Sequence, residues 1–416
     1  MNRYLDRIAD RELRERMAAI GAVLIEGPKA CGKTATASQV ASSSIRLDED
    51  ANARSAVELN PDALFSGPTP ILFDEWQVAP ELWNRVRRRV DDLGERGLYV
   101  LTGSATPRDD STRHSGAGRI GVLRMRPMSL FESRHSHGEV SLQALFDGNS
   151  PVSKDSGLSV PDLMERIVVG GWPSLLGAAE AEARTWLADY LRNVVEVDVP
   201  ALGTRRNPRG VRRLLTSLGR SVAQSPKLTA LREDIGADRG PVAAETLHAY
   251  LDALDRLMLT DDSASWQPHM RSRLRLRTAP VRYFVDPSLG TAALGVGTAD
   301  LLADLNAAGY HFEAMVVRDL RVYAQALGGE ISSWRDEKGN EVDAVVTLPD
   351  GRWGAFEVKM NPAAADSAAA SLLRFAASVD VDRHGEPAFL GVVTSTGYAG
   401  RRADGVHVIP VTTLGP

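Results

Sequence analysis

The sequence predicts an α/β protein organised on a doubly wound parallel sheet, and three observations carry that prediction. An apolar strand, Ala22-Val23-Leu24-Ile25, runs into a loop bounded by Gly27 and Gly32, and a helix-compatible run from Thr34 to Ser42 follows. A second apolar strand, Pro70 to Phe73, ends in Asp74-Glu75. A third, Leu98 to Leu101, ends in Thr102-Gly103-Ser104, after a stretch in which Leu82, Val86 and Val90 recur at helical spacing. Strands that alternate with helices pair in parallel and bind ligands at their carboxyl edge.

The elements follow in order. Tyr4 to Met17 suits an exposed helix leading into the first strand. The loop after that strand, Gly27-Pro28-Lys29-Ala30-Cys31-Gly32-Lys33-Thr34, has the full P-loop spacing. Its glycines let backbone N–H groups surround phosphate oxygens. Lys33 is placed to reach the β/γ-phosphates and Thr34 to offer a hydroxyl to Mg²⁺. The competing reading is a glycine turn before a helix. Ile45 to Asp48 reads as a short strand. In the acidic strand, Asp74 is expected in the Mg²⁺ shell and Glu75 at the attacking water; otherwise both are acids at an exposed strand end. Ser104, with Thr102 second, is a candidate γ-phosphate sensor or a simple strand end. Arg119, in His114-Ser115-Gly116-Ala117-Gly118-Arg119, is either an arginine finger, in cis or in trans, or a solvated loop arginine. No Asn-Lys-x-Asp guanine-reading motif occurs, which favours ATP over GTP. Glu75 directly after Asp74 favours hydrolysis over transfer to a small acceptor.

The whole chain sets bounds. It has 416 residues, 43% hydrophobic and 25% charged, enough for more than one core. The net charge of −5 gives no global basic field toward nucleic acid, so such binding needs local patches. The single cysteine, Cys31, excludes an internal disulfide framework and fits a reducing cytosol. The charged N-terminal stretch lacks a signal-peptide core, and no apolar run has transmembrane length. A cytoplasmic location without membrane partners is therefore expected.

The P-loop, Asp74-Glu75-Trp76-Gln77, Leu101 to Ser104, Gly118-Arg119, Pro127 to Glu132 and Gly170-Gly171-Trp172-Pro173 resemble a prokaryotic AAA-type ATPase family with a C-terminal domain of unknown function. The resemblance implies an ATPase core, a helical and winged-helix middle, and a C-terminal domain related to restriction-endonuclease (PD-(D/E)xK) folds. The expected boundaries are 1–150, 151–300 and 301–416.

The remaining residues are read beside that resemblance. Residues 148–157 look like a polar linker or an exposed loop. In the middle, Arg205, Arg206, Arg209, Arg212, Arg213 and Arg220 cluster. Two helices with a glycine-containing turn precede Arg271, Arg273, Arg275 and Arg277, which alternate with Leu274 and Leu276 as on a basic strand. These arginines suit either DNA or RNA phosphates or a subunit or interdomain surface, a homo-oligomer included. Toward the C-terminus, Glu337-Lys338-Gly339-Asn340 reads as a turn, and Asp343 and Glu357-Val358-Lys359 lie on two strands joined by Leu348-Pro349-Asp350-Gly351. Glu357 and Lys359 share a sheet face, and a hairpin returns them beside Asp343. This resembles the Asp…Glu-x-Lys nuclease signature, with Val342 in place of its proline and Glu313 as the extra acid on the preceding helix. The expected roles are metal ligation by Glu313, Asp343 and Glu357, with Lys359 positioning water. Two functions follow: an ATP cycle that controls a nuclease-like or nucleic-acid-binding domain, or an ATP-driven switch acting on protein partners through a silent scaffold.

Overall fold

The computed structural model describes residues 4–104, 115–203, 207–266, 279–336 and 339–416. His114, Arg205, Arg206, the alternating arginines and leucines of 271–277, Glu337 and Lys338 lie outside the described residues. The chain divides into two compact units, 1–127 with 172–174 and 255–258, and the remainder.

The first unit is built on five parallel strands in the order β2-β3-β4-β1-β5. They are β1 (Ala22–Glu26), β2 (Ser43–Arg46), β3 (Ile71–Asp74), β4 (Tyr99–Gly103) and β5 (Ile120–Arg124). β1, β3 and β4 are apolar along nearly their whole length and buried, as expected of strands covered on both faces. Around them lie α1 (Ala9–Ala19), α2 (Lys33–Ala37), α3 (Ala51–Leu59) and α4 (Glu81–Leu93). The Leu82, Val86 and Val90 stripe of α4 meets Trp76, Trp83 and Leu24 in one apolar cluster. Each such side chain contributes about 1.5–3 kcal/mol on burial.

Two elements differ from expectation. The helix after the P-loop is α2 alone; the chain beyond it closes in turns, such as Gln39 N–H to the Thr36 carbonyl. Ser38 and Ser42, poor interior helix formers, account for the early end. The P-loop unit also ends at Pro127 rather than 150. Residues 128–150 belong to the second unit, because β6 (Val140–Ser141) pairs in parallel with β14 (Leu414–Gly415) and Ser136 Oγ–H donates to the Thr412 and Leu414 carbonyls.

The second unit holds helices and a mixed sheet. Its elements begin with α5 (Leu142–Phe146), β7 (Ser153–Lys154), α6 (Val160–Val169), α7 (Glu180–Asn193) and the short α8 (Val199–Ala201). Next come α9 (Pro208–Arg220), α10 (Leu228–Gly236) and α11 (Ala244–Arg256). An antiparallel ladder follows, through the bridges Thr260↔Phe284 and Ser263↔Val281, with Gln224↔Arg282 alongside. Then α12 (Pro287–Leu294), α13 (Thr298–Ala303) and the long α14 (Leu305–Ala326) lead to β8 (Glu330–Arg335), β9 (Glu341–Thr347) and β10 (Trp353–Lys359). α15 (Ala365–Ser378), β11 (Leu390–Thr394), β12 (Tyr398–Arg401) and β13 (His407–Pro410) complete the sheet, whose order is β7-β12-β13-β11-β10-β9-β8.

The β9–β10 hairpin turns at Leu348 to Gly351, where Gly351 takes φ 89°. β10 then pairs in parallel with β11, and α15 packs its Ala369, Leu372 and Phe375 against the sheet core. α14 buries a charged group: the Arg318 guanidinium donates to Asp286 at 2.9 Å and to Asp319 at 2.7 Å. Asp319 also accepts the Leu130 N–H, and Asp286 the Gly171 N–H. The Leu130 and Gly171 backbones are thereby tied to the buried Arg318 group.

Candidate nucleotide and carboxylate sites

At the carboxyl edge of the first sheet, the P-loop leaves β1 and turns back over β5. A Cβ on Gly27 would stand 2.3 Å from the Met125 carbonyl oxygen, so only glycine fits. Gly32 takes φ 104°, again a glycine position. Lys33 is buried, and its Nζ donates to the Gly27 and Pro28 carbonyls at 3.0 and 2.8 Å. The lysine thus lies along the inside of the loop. The Thr34 hydroxyl donates to Asp74 Oδ1 at 2.8 Å, and the Thr102 hydroxyl donates to the same oxygen. Strand register explains this meeting: β3 and β4 end side by side, with Phe73 opposite Leu101.

Glu75 follows in the left-handed region, φ 54° and ψ 46°. That geometry is uncommon for a residue with a Cβ and is found where structure imposes it. It turns the carboxylate toward Gln77 and Ser104. Gln77 donates its amide N–H to Glu75 Oε2, and the Ser104 hydroxyl donates to the same oxygen at 3.3 Å. Ser104 therefore stands beside Glu75, while Thr102 stands beside Asp74. The donor set of a hydroxyl and a carboxylate oxygen suits Mg²⁺, a hard cation that keeps several waters.

Arg119 is not brought to this edge. It precedes β5, its carbonyl accepts the Ala22 N–H at the start of β1, and its guanidinium pairs with Asp91 at 2.7 Å. Five parallel residues of β1, roughly 16 Å at strand rise, separate that end from the P-loop. Within its own chain Arg119 does not face the nucleotide position. Sequence reasoning missed Gln77, and also Arg7. The Arg7 guanidinium donates to the Cys31 carbonyl of the P-loop at 2.9 Å and to the Arg126 carbonyl at 2.7 Å. Its side chain lies far from the motif in sequence, so no local spacing could reveal it.

A second cluster lies in the second unit, where Glu313 of α14, Asp343 of β9 and Glu357 and Lys359 of β10 come together. Lys359 Nζ is 2.8 Å from Glu357 and 3.7 Å from Asp343. Asp343 Oδ2 accepts the Val358 N–H at 2.7 Å, and Glu313 accepts the Tyr283 hydroxyl at 2.6 Å. Burial, and then the Asp343 charge, pushes Glu357 up to about 8 and lifts Glu313 well above the usual carboxylate range. Burial works against the Lys359 ammonium, but Asp343 and Glu357 outweigh it and raise its pKa. Glu313 and Asp343 line a cavity of about 420 Å³ together with Tyr283, Tyr310, Trp334 and Arg335. Among the described residues, no three Asp, Glu, His or Cys side chains converge as they stand on a metal position. Each carboxylate of the cluster is engaged by a protein donor instead.

Of the middle arginines, Arg213 donates to the Ile235 and Gly236 carbonyls that end α10, and Arg212 pairs with Glu196. Arg209 and Arg220 are exposed.

Comparison with known proteins fits the first unit's geometry. Residues 20–133 match the AAA domain family model. This stretch is similar to an AAA-type P-loop ATPase domain. Residues 160–300 match a domain of unknown function (DUF8612), and residues 308–414 match another (DUF4143). No curated protein matches the chain. Among solved structures, a Walker-type ATPase of Pyrococcus abyssi is 15% identical over 70% of this chain and 96% of its own, with a TM-score of 0.44. The replication initiator DnaA bound to AMPPCP and single-stranded DNA is 14% identical over 59% of this chain and 86% of its own, with a TM-score of 0.27. Among the described residues no helix is long and apolar enough to cross a membrane.

Proposed function

We propose that this protein binds and hydrolyses ATP with Mg²⁺ in its first unit, and that the ATP cycle governs a nuclease-like second unit acting on nucleic acid. The observation that carries the first part is the Thr34–Asp74–Thr102 group beside the Glu75–Gln77–Ser104 group. Bound Mg²⁺ supplies charge neutralisation for the β- and γ-phosphates. Thr34 and Asp74 would hold it. The backbone N–H groups of Lys29 to Thr34 cradle phosphate oxygens, and Lys33 leaves its two carbonyls to reach them. Glu75 orients and deprotonates a water, and Ser104 reports on the γ-phosphate through its bond to Glu75. Arg119, paired with Asp91 away from its own site, is either a finger in trans between copies of the chain or a surface ion-pair arginine.

For the second unit, the three α-helices α9 to α11 and their antiparallel ladder support a winged-helix-like element. The β9–β10 hairpin, its parallel partner β11 and the α15 crossover support a restriction-endonuclease-like domain. Asp343, Glu357 and Glu313 would hold a divalent metal, a Lewis acid at the scissile phosphate. Lys359 would position water there. One observation favours a silent scaffold instead: each carboxylate already has a protein donor, and no three converge. Incubating the protein with Mg²⁺ or Mn²⁺ and single- and double-stranded DNA and RNA, with and without ATP, separates the readings. Cutting that is lost in Lys359→Ala and altered in Lys33→Ala supports the nuclease. No cutting of any substrate, with ATP turnover intact, supports the switch.

A further inference from the structure

The segment before α1 straps the P-loop from outside. Arg7 is a buried charge 7% exposed, and its two guanidinium nitrogens hold the Cys31 and Arg126 carbonyls. Its backbone N–H donates to Asp10 at 2.8 Å, and Asp10 also accepts the Tyr4 hydroxyl at 2.6 Å. The Tyr4 oxygen lies 2.8 Å from Thr36 Oγ on α2. The strap therefore touches the nucleotide loop on both sides of Gly32-Lys33-Thr34. Its nitrogen would stand 3.3 Å from a Cβ on Gly32.

We propose that Arg7 is a positioning residue for phosphate binding. The Cys31 carbonyl and the Gly32 N–H belong to one planar trans peptide, so they point in opposite directions. A guanidinium that holds the carbonyl outward turns the N–H inward, into the loop. A charged donor on that carbonyl also polarises the peptide and strengthens the N–H as a donor. The second bond, to the carbonyl of Arg126 two residues beyond β5, anchors the guanidinium to the chain that leaves the sheet. α2 is short, at five residues, so this loop depends on its individual N–H groups more than a long helix would require. The inference rests on the ATP-binding reading above and extends it to a residue outside the motif.

The test is equilibrium binding of fluorescent ATP and ADP, with Mg²⁺, to the full chain and to Arg7→Met, Arg7→Lys and Lys33→Ala. Arg7→Met is expected to weaken ATP and ADP alike by about tenfold, the loss of one charge-assisted bond. Arg7→Lys recovers part of this, since an ammonium serves the Cys31 carbonyl without the fork. Hydrogen exchange across residues 27–34 is expected to quicken in Arg7→Met. Arg7→Gln, which keeps one amide donor, replaces Arg7→Met if that variant does not fold. A folded Arg7→Met or Arg7→Gln that binds ATP and ADP as tightly as wild type overturns the inference, even if it melts at a lower temperature. Wild type that binds no nucleotide, like Lys33→Ala, removes the ATP-binding reading itself.

Discussion

Replacing Arg318 with Met leaves two buried carboxylates without their cation. Arg318, Asp286 and Asp319 have side chains 2%, 0% and 1% exposed. Removing one partner of a buried pair costs about 3–5 kcal/mol. The loss falls unevenly. Asp286 keeps the Gly171 N–H and both donors of Ser288, whereas Asp319 keeps the Leu130 N–H. Burial has already pushed Asp319 up to about 6 with Arg318 beside it. Without Arg318 its pKa rises further. A carboxyl with a raised folded pKa binds more protons folded than unfolded, so its contribution to stability falls as pH rises toward that pKa. The deficit of Arg318→Met is therefore smaller near pH 5 than at pH 7.5, where it approaches about 4 kcal/mol. Urea unfolding of the second unit, paired with hydrogen exchange in α14, measures it at both pH values. A variant within 1 kcal/mol of wild type at pH 7.5, or a deficit larger at pH 5 than at 7.5, refutes the reasoning.

Three further outcomes are expected. His311, buried on α14 with its pKa lowered by burial to about 4, gives stability that is full above pH 6.5 and is lost as pH falls toward 4; the difference between wild type and His311→Leu should therefore shift by up to about 3 kcal/mol against wild type between pH 6.5 and 4, read from urea midpoints. Gly27→Ala drives a methyl into the Met125 carbonyl and should abolish ATP binding while melting the first unit at a lower temperature, seen by titration and calorimetry. Lys359→Ala leaves Glu357 and Asp343 facing each other without their cation, so any Mg²⁺- or Mn²⁺-dependent cutting should disappear while ATP turnover persists, measured on the same preparation.

Much of the first unit was legible because its signals are local. The P-loop spacing and the acidic end of β3 are contiguous stretches. Their convergence is a matter of parallel register, and Thr34 meets Asp74 as that register requires. Ser104 and Thr102 were both named, but only the structure pairs Thr102 with Asp74 and Ser104 with Glu75. What sequence could not show depends on distant contacts. Arg119 follows a glycine in a loop and reads as a finger or a solvated arginine, yet it lies just before β5 and so sits at the opposite end of the strands from the P-loop. The end of the first compact unit at Pro127 was not legible because residues 128–150 carry no composition shift; the pairing partner of β6, β14, lies far along the chain. Arg7 and the Arg318 triad were hidden for the same reason, since a buried charge looks like any surface arginine until its partners are known. Asp343, Glu357 and Lys359 met as the hairpin predicted, but the protein donors that engage them were not foreseeable from spacing.

The most direct measurement is ATP binding and phosphate release by wild type, Lys33→Ala and Glu75→Gln, with and without Mg²⁺. Wild type should bind ATP and release phosphate only with Mg²⁺, and Lys33→Ala should lose both. Glu75→Gln should bind ATP near wild-type strength and turn it over at least about a hundredfold more slowly. Equal ATP binding by wild type and Lys33→Ala, or unchanged turnover in Glu75→Gln, would contradict the account.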